Sequence, residues 1–129
     1  MHLLDKVAPL FAGWNETLIL SVLQGHMGRV IVENEQTPAS AQIVIGDFCF
    51  FAGVPSEALV ARAGANELVP QNNAWCEVIE RVWGERVAKR LRYAIKKEPD
   101  AFCRDRLEYY IDSLPPEYEL RLFNEDICV

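Results

Sequence analysis

The feature of this 129-residue sequence that most constrains its fold is an apolar run at residues 41–52, AQIVIGDFCFFA. Both sets of alternating positions in the run are mainly apolar, which is typical of a strand covered on both faces. Gly46 and Asp47 interrupt the run. We therefore predict a central strand with helices on both sides, and a bulge or a close backbone approach at Gly46-Asp47.

Strand and helix patterns alternate around this run. A β-branched strand at 29–33, joined to the run by a polar loop, and a short extended piece at 67–70 add to the sheet. Apolar residues at helical spacing, several with a capping residue before or a glycine after them, predict helices at 3–11, 16–24, 55–62, 74–83 and 101–113. The fold class is therefore α+β, a mixed sheet flanked by helices, in a single domain over residues 1–129.

The helix at 74–83 has the clearest apolar stripe, formed by Trp75, Val78, Ile79 and Val82, and Gly84 follows as its stop. We expect Trp75 to be buried against the sheet, because it opens that stripe. A second strand-like alternation occurs at residues 118–122, after a Pro-Pro pair.

A basic segment follows this helix. Residues 81–97 hold 7 of the 13 basic residues and one acid, a local charge of +6. Residues 86–97 alternate as a strand would, with Val87, Leu91, Tyr93 and Ile95 on one face and Arg86, Arg90, Arg92 and Lys96 on the other. The basic face is a candidate site for an anion or a partner protein, since alternate arginines present several guanidinium groups together. The alternative is an exposed edge strand whose charges prevent aggregation or pair with the acids of residues 100–119.

The overall charge and hydropathy exclude some classes of function. A formal charge of −6 and a pI near 4.9 disfavour general nucleic-acid binding, although they leave room for a local basic patch. No apolar stretch approaches the roughly 20 residues that span a bilayer, and the N-terminus has no signal-peptide pattern. We therefore expect a cytoplasmic protein.

The cysteines and histidines do not form a recognisable metal or redox motif. Cys49, Cys76, Cys103 and Cys128 contain no C-x-x-C pair, so we predict no metal site and four reduced, mostly buried thiols. Asp47 and Cys49 fit either a core strand or acid-base and nucleophilic work. His26 fits either a general base or a cation near the end of a helix.

Several longer blocks resemble the N-terminal half of a bacterial GNAT-like acetyltransferase family. These blocks are FAGWNETLI at 11–19, LQGHMG at 23–28, SAQ at 40–42, GDFCFFAG at 46–53 and RYAIKKE at 92–98. The resemblance implies a GNAT-like N-terminal half-domain from a protein that transfers acetyl from acetyl-CoA to an amine of unknown identity. It also implies that the acetyl-CoA loop belongs to a C-terminal half beyond Val129.

The hexapeptide RVWGER at 81–86 is close to the R/Q-x-x-G-x-G/A loop with which acetyltransferases hold acetyl-CoA. It departs from that pattern at Arg86, and it ends a predicted helix where the loop should begin one. We therefore predict a helix C-cap at Gly84, no cofactor-binding residue in this chain, and no catalytic residue that can be assigned.

Two functions follow from the resemblance and its gap. The chain is either a piece of a longer enzyme or a naturally short homologue. In the first reading it contributes substrate recognition or packing, and its partners are a C-terminal GNAT-like domain or a small-molecule amine. In the alternative it is a non-catalytic module that binds a partner or a second copy of itself through a strand edge. Whether the chain alone is an enzyme stays open.

Overall fold

A computed structural model describes residues 2–64 and 67–124. It divides the chain into two compact units, Met1–Lys89 and Arg90–Val129. Whether these units fold together as the predicted single domain stays a prediction. Within the described residues, no helix combines the length and the hydropathy needed to cross a membrane.

The first unit is built on a four-stranded mixed sheet with the order β1-β2-β3-β4. The strands are β1 (Arg29–Val32), β2 (Ser40–Ile45), β3 (Phe48–Gly53) and β4 (Glu67–Pro70). The first three strands are antiparallel neighbours, and β4 lies parallel to β3. The mixed sheet and its flanking helices confirm the predicted α+β class.

The apolar run at 41–52 forms a hairpin of two strands, so the prediction of a single bulged strand was wrong. Ile45 pairs with Phe48 across the two-residue turn Gly46-Asp47. The φ of Gly46 is +53°, and Asp47 has a negative φ, as in a type II′ turn. Both strands are buried on both faces, as predicted. Because of this burial the hairpin could not be recognised from the sequence, since two adjacent central strands have the same apolar pattern as one long strand.

One face of the sheet is covered by the N-terminal elements. These are α1 (Leu3–Val7), a 3₁₀ helix at Ala8–Phe11, and α2 (Thr17–Leu23). The helices end early because Pro9 prevents a longer first helix and Gly25, with φ +77°, lies just past the second. Their buried side chains join the alternate positions of β2 and β3 in one core cluster.

The other face is covered by α3 (Glu57–Ala61) and α4 (Asn73–Trp83). Trp75 is fully buried, as expected, and its ring stacks on Phe51 with centroids 5.2 Å apart. Its indole N–H donates to the carbonyl of Gly53 at 3.0 Å. This second core cluster therefore combines apolar burial with a satisfied polar group.

The second unit contains α5 (Arg104–Asp112), which is shorter than the helix predicted at 101–113. The strand predicted at 86–97 was wrong: a 3₁₀ helix covers Gly84–Arg86, and residues 87–97 have no regular structure. Residues 118–122, where the sequence alternates, also have none. In each case no strand among the described residues pairs with the alternating segment, since period two alone supplies no hydrogen-bonded partner.

Candidate functional site

An open cavity of about 220 Å³ lies on the α3/α4 face of the sheet in the first unit. The residues that line it come from β1, β2, the hairpin turn and the end of α3: Arg29, Ile31, Gln42, Val44, Gly46, Arg62 and Gly64. They bring guanidinium, amide and aliphatic groups to one place. The cavity is therefore a candidate binding site of this unit.

The sheet register places four of these side chains together. Arg29 pairs with Val44, and Ile31 pairs with Gln42. Because alternate residues of a strand share a face, the two residues from β1 and the two from β2 form a patch two strands wide. Arg62 reaches the same cavity from the C-cap of α3.

Gln42 is the buried polar group of this patch, with only 1% of its surface exposed. Its amide nitrogen donates to the sulfur of Cys49 at 3.0 Å. Its Oε1 is also buried and has no hydrogen-bond partner among the described residues. A buried acceptor without a partner costs about 1–3 kcal/mol, so the position invites a donor from outside the chain.

Arg29 and Arg62 are exposed side chains at the same cavity. Within residues 2–64 and 67–124, neither guanidinium has a recorded hydrogen bond or ion pair, and the described lining contains no carboxylate. Each guanidinium offers five N–H donors in a planar fork that matches a carboxylate or a phosphate. The chemistry available here is the binding of an anion.

The structure separates Arg86 from the basic face on which the sequence had placed it. Its guanidinium carbon lies 4.6 Å from the ring centroid of Trp83. The same group donates to the carbonyl oxygens of Trp83 and Val82 at 3.2 and 3.1 Å. Arg86 thus stabilises the C-terminal end of α4, where a cation is favourable.

The other predicted site residues, Arg90, Arg92 and Lys96, are exposed and belong to the second unit. The common strand face that grouped them with Arg86 was wrong, because these residues form no strand. Their apolar counterparts do not occupy a core either: Leu91, Tyr93 and Ile95 are 76%, 87% and 73% exposed. Anion or partner binding by the three cations stays a prediction.

The hexapeptide at 81–86 does not fit the acetyl-CoA pyrophosphate. Gly84, with φ +53°, caps the C-terminus of α4, and its N–H donates to the carbonyl of Glu80. Nε of Arg81 is held 2.7 Å from Oε1 of Glu57 in an exposed ion pair. A phosphate cradle needs free N–H groups at a helix N-terminus, whereas this segment lies at the negative end of a helix dipole. The predicted C-cap is confirmed.

Lys89 also has a partner in the basic segment. Its Nζ donates to Oε1 of Glu80 at 3.2 Å, and this hydrogen bond raises the pKa of Lys89. Arg81, Arg86 and Lys89 therefore all make contacts inside the first unit. Arg81 and Lys89 are paired with Glu57 and Glu80 of the first unit, not with the acids at 100–119 that the sequence suggested.

The remaining candidate groups form no catalytic constellation in the described residues. Cys49 is buried in the core, while Asp47 lies exposed in the hairpin turn and His26 lies exposed after α2. No three His, Cys, Asp or Glu side chains of the described residues are grouped as metal ligands. Cys49, Cys76 and Cys103 are unpaired, but Cys103 is exposed, so the expectation of mostly buried thiols was wrong there. Cys128 lies outside the described residues.

Sequence reasoning missed Arg29, Gln42 and Arg62. A signal for Gln42 was present, because it is the one long polar side chain between Ala41 and Ile45 in a strand buried on both faces. The two arginines lie far apart in sequence, on β1 and after α3. Only the folded sheet brings them to one cavity.

Comparison with known proteins supports the resemblance seen in the sequence. The family model described as GNAT acetyltransferase matches residues 8–129. A solved structure, that of a GCN5-related N-acetyltransferase-like protein from Streptococcus suis, shares 40% sequence identity and a TM-score of 0.67. The match covers 88% of this chain and 47% of that one, so this chain spans about half the length of its solved relative. No curated protein matches.

The family match covers most of the sequence, and the solved relative has the same fold at substantial identity. The chain belongs to the GNAT acetyltransferase family.

Proposed function

We propose that this chain is the N-terminal part of a longer GNAT-type N-acetyltransferase. The remaining part of that enzyme would bind acetyl-CoA and transfer its acetyl group to an amine. The solved relative supports this reading, since this chain corresponds to only 47% of its length. The lack of a fit between residues 81–86 and the acetyl-CoA pyrophosphate also supports it.

The observation that carries the proposal is the apolar surface of the second unit. Between residues 90 and 124, no described residue is buried, yet the segment exposes thirteen large hydrophobic side chains. They are Leu91, Tyr93, Ile95, Phe102, Leu107, Tyr109, Tyr110, Ile111, Leu114, Tyr118, Leu120, Leu122 and Phe123. An exposed apolar surface of this kind marks a site of contact with other protein.

The occupant that we assign to this apolar surface is the C-terminal half of the same polypeptide. A second half of similar length in the solved relative supplies a covering domain of the required size. This chain would then contribute packing and recognition of the acceptor amine. The unpaired thiols at Cys49, Cys76 and Cys103 agree with the reducing cytoplasm as its compartment.

A second function uses the same observation. If a second copy of the chain covers this apolar surface, the protein is a non-catalytic module that self-associates. An interface between copies would bury the same side chains. Contact through residues 90–124 is thus common to both functions, and the occupant separates them.

The test compares the 129-residue chain with the protein extended to the length of the solved relative. Calorimetry with acetyl-CoA should give a dissociation constant weaker than about 10 μM, some −7 kcal/mol, for the 129 residues, and tighter binding for the extended protein. Tight binding by the shorter chain would contradict the proposal. Limited proteolysis should show residues 90–124 protected in the extended protein and accessible in the 129-residue chain. If light scattering shows that the 129-residue chain is a dimer and these residues are protected in it, the non-catalytic module is favoured.

A matched pair of variants localises the contact. Leu107→Gln with Ile111→Gln should lower the melting temperature of the extended protein and leave that of the 129-residue chain unchanged. The control, Glu108→Gln, lies on the same helix and should change neither. Equal effects of the double variant in both proteins would mean that α5 has its own core in the shorter chain.

A further inference from the structure

We propose that the cavity on β1 and β2 binds a small oxyanion that carries a hydrogen-bond donor next to its anionic group. The ligand class is a small hydroxy- or amino-carboxylate or a phosphate. All the described residues that line the cavity belong to the first unit. The proposal therefore goes beyond the acetyl transfer proposed above.

The charge of the ligand follows from Arg29 and Arg62. Two arginine residues line one cavity, and the described residues supply no carboxylate to its lining. Elsewhere in the same unit, the cations Arg81 and Lys89 are paired with acids. In a chain with 19 acidic and 13 basic residues, two cations left together at one cavity point to an anion from outside the chain.

The donor on the ligand follows from Gln42. Its buried Oε1 can only accept a hydrogen bond, and the described residues provide none. The amide nitrogen is already engaged by Cys49, which fixes the side chain in place. A hydroxyl or N–H on the ligand would satisfy this oxygen, which a bare anion cannot do.

The size of the ligand follows from the cavity and its aliphatic residues. A volume of about 220 Å³ is below the roughly 300–1,000 Å³ of pockets for drug-sized molecules. Ile31 and Val44 are half-buried and supply the apolar part of the lining. The site thus suits a compact molecule with one anionic end rather than a coenzyme.

The first experiment is a titration of the 129-residue chain, followed by NMR and calorimetry, with acetate, glycolate, inorganic phosphate and methylammonium as probes. Acetate and glycolate differ by one hydroxyl, so their ratio measures the donor. Glycolate should bind at least about tenfold more tightly than acetate, because only glycolate carries the hydroxyl donor. Methylammonium should not bind. Tighter binding of glycolate than of phosphate identifies a carboxylate site, and the reverse identifies a phosphate site.

Three substitutions connect the binding to the cavity. Arg29→Gln and Arg62→Gln should each weaken the tighter probe by at least about tenfold, because each removes a charge-assisted donor. Arg106→Gln, which removes the same charge in the second unit, should leave binding unchanged. Gln42→Met keeps the volume and should abolish the preference for glycolate over acetate, while Arg29→Gln should keep it.

The proposal is overturned if no anion binds, if acetate and glycolate bind equally, or if Arg106→Gln weakens binding as much as Arg29→Gln. If Gln42→Met does not fold, the acetate-to-glycolate ratio and the two arginine variants still decide the matter. Arg29 and Arg62 are exposed, so their variants are expected to retain the parent melting temperature.

Discussion

The two units of this chain have similar fractions of apolar residues and use them in opposite ways. In the first unit, the apolar side chains of strands and helices pack together on both faces of the sheet. Among its described residues, only three large hydrophobic side chains are exposed, those of Leu20, Met27 and Val54. In the second unit, one helix and two alternating stretches leave thirteen large hydrophobic side chains exposed. The difference shows that periodicity identifies the apolar face of a segment, whereas burial of that face depends on other segments that pack against it.

The sheet explains why only the first unit has a core. It offers two apolar faces at once, so α1 and α2 can cover one while α3 and α4 cover the other. A single helix such as α5 has one stripe and no second layer within the described residues of its unit. A chain segment of that size has too little surface to bury for independent stability.

The largest effect should come from removing the aromatic anchor of the first unit. Trp75→Ala deletes a fully buried ring, its stack on Phe51 and its hydrogen bond to Gly53, and should cost about 3–5 kcal/mol. The matched variant in the second unit, Tyr110→Ala, removes a side chain that is 58% exposed and should cost under about 0.5 kcal/mol. Denaturant unfolding followed by circular dichroism measures both. Similar losses would remove the contrast between the units.

An intermediate effect is expected for thiol labelling. Cys49 is fully buried in the first unit, and Cys103 is exposed in the second. Reaction with iodoacetamide at neutral pH, followed by peptide mass spectrometry, should label Cys103 at least about a hundredfold faster, because Cys49 reacts only after the core opens. In the extended protein, slower labelling of Cys103 would show that its region becomes covered. Fast labelling of Cys49 in the native chain would mean that the first unit opens readily.

The smallest effect should come from exposed arginines. Arg90→Ala and Arg92→Ala should each change the free energy of unfolding by less than about 1 kcal/mol, since both side chains are exposed. Arg81→Ala, which breaks the exposed pair with Glu57, provides the comparison in the first unit and should fall in the same range. Thermal melts at low and high salt would test all three. A loss of several kcal/mol at Arg90 would require a buried partner in the second unit and would sharpen its boundary.

Local sequence signals predicted most of the first unit because its elements follow local rules. The stripe of Trp75, Val78, Ile79 and Val82 predicted the inner face of α4, and Gly84 predicted its end. The C-cap also accounts for the near-match to an acetyl-CoA loop at residues 81–86, since Gly84 ends α4 instead of opening an α-helix. Each of these features depends on neighbours within about one helical turn, which the sequence displays directly.

The segments that failed were those whose state depends on distant neighbours. Residues 87–97 alternate like a strand, but no other described strand pairs with them. The hairpin at Gly46-Asp47 was concealed by burial on both of its faces. Strand pairing is a contact between segments, so a correct period cannot establish it.

By itself, the sequence determined the α+β class, the position of most helices, the family and the apolar side of each element, because these follow from composition, spacing and local capping. Only the tertiary structure decided that Arg29 and Arg62 line one cavity with a buried Gln42, and that the large hydrophobic side chains of residues 90–124 are exposed. The physical reason is that a cavity is a relation among strands and loops. Its chemistry depends on which side chains the sheet register aligns, and on which buried polar atoms are left without a partner.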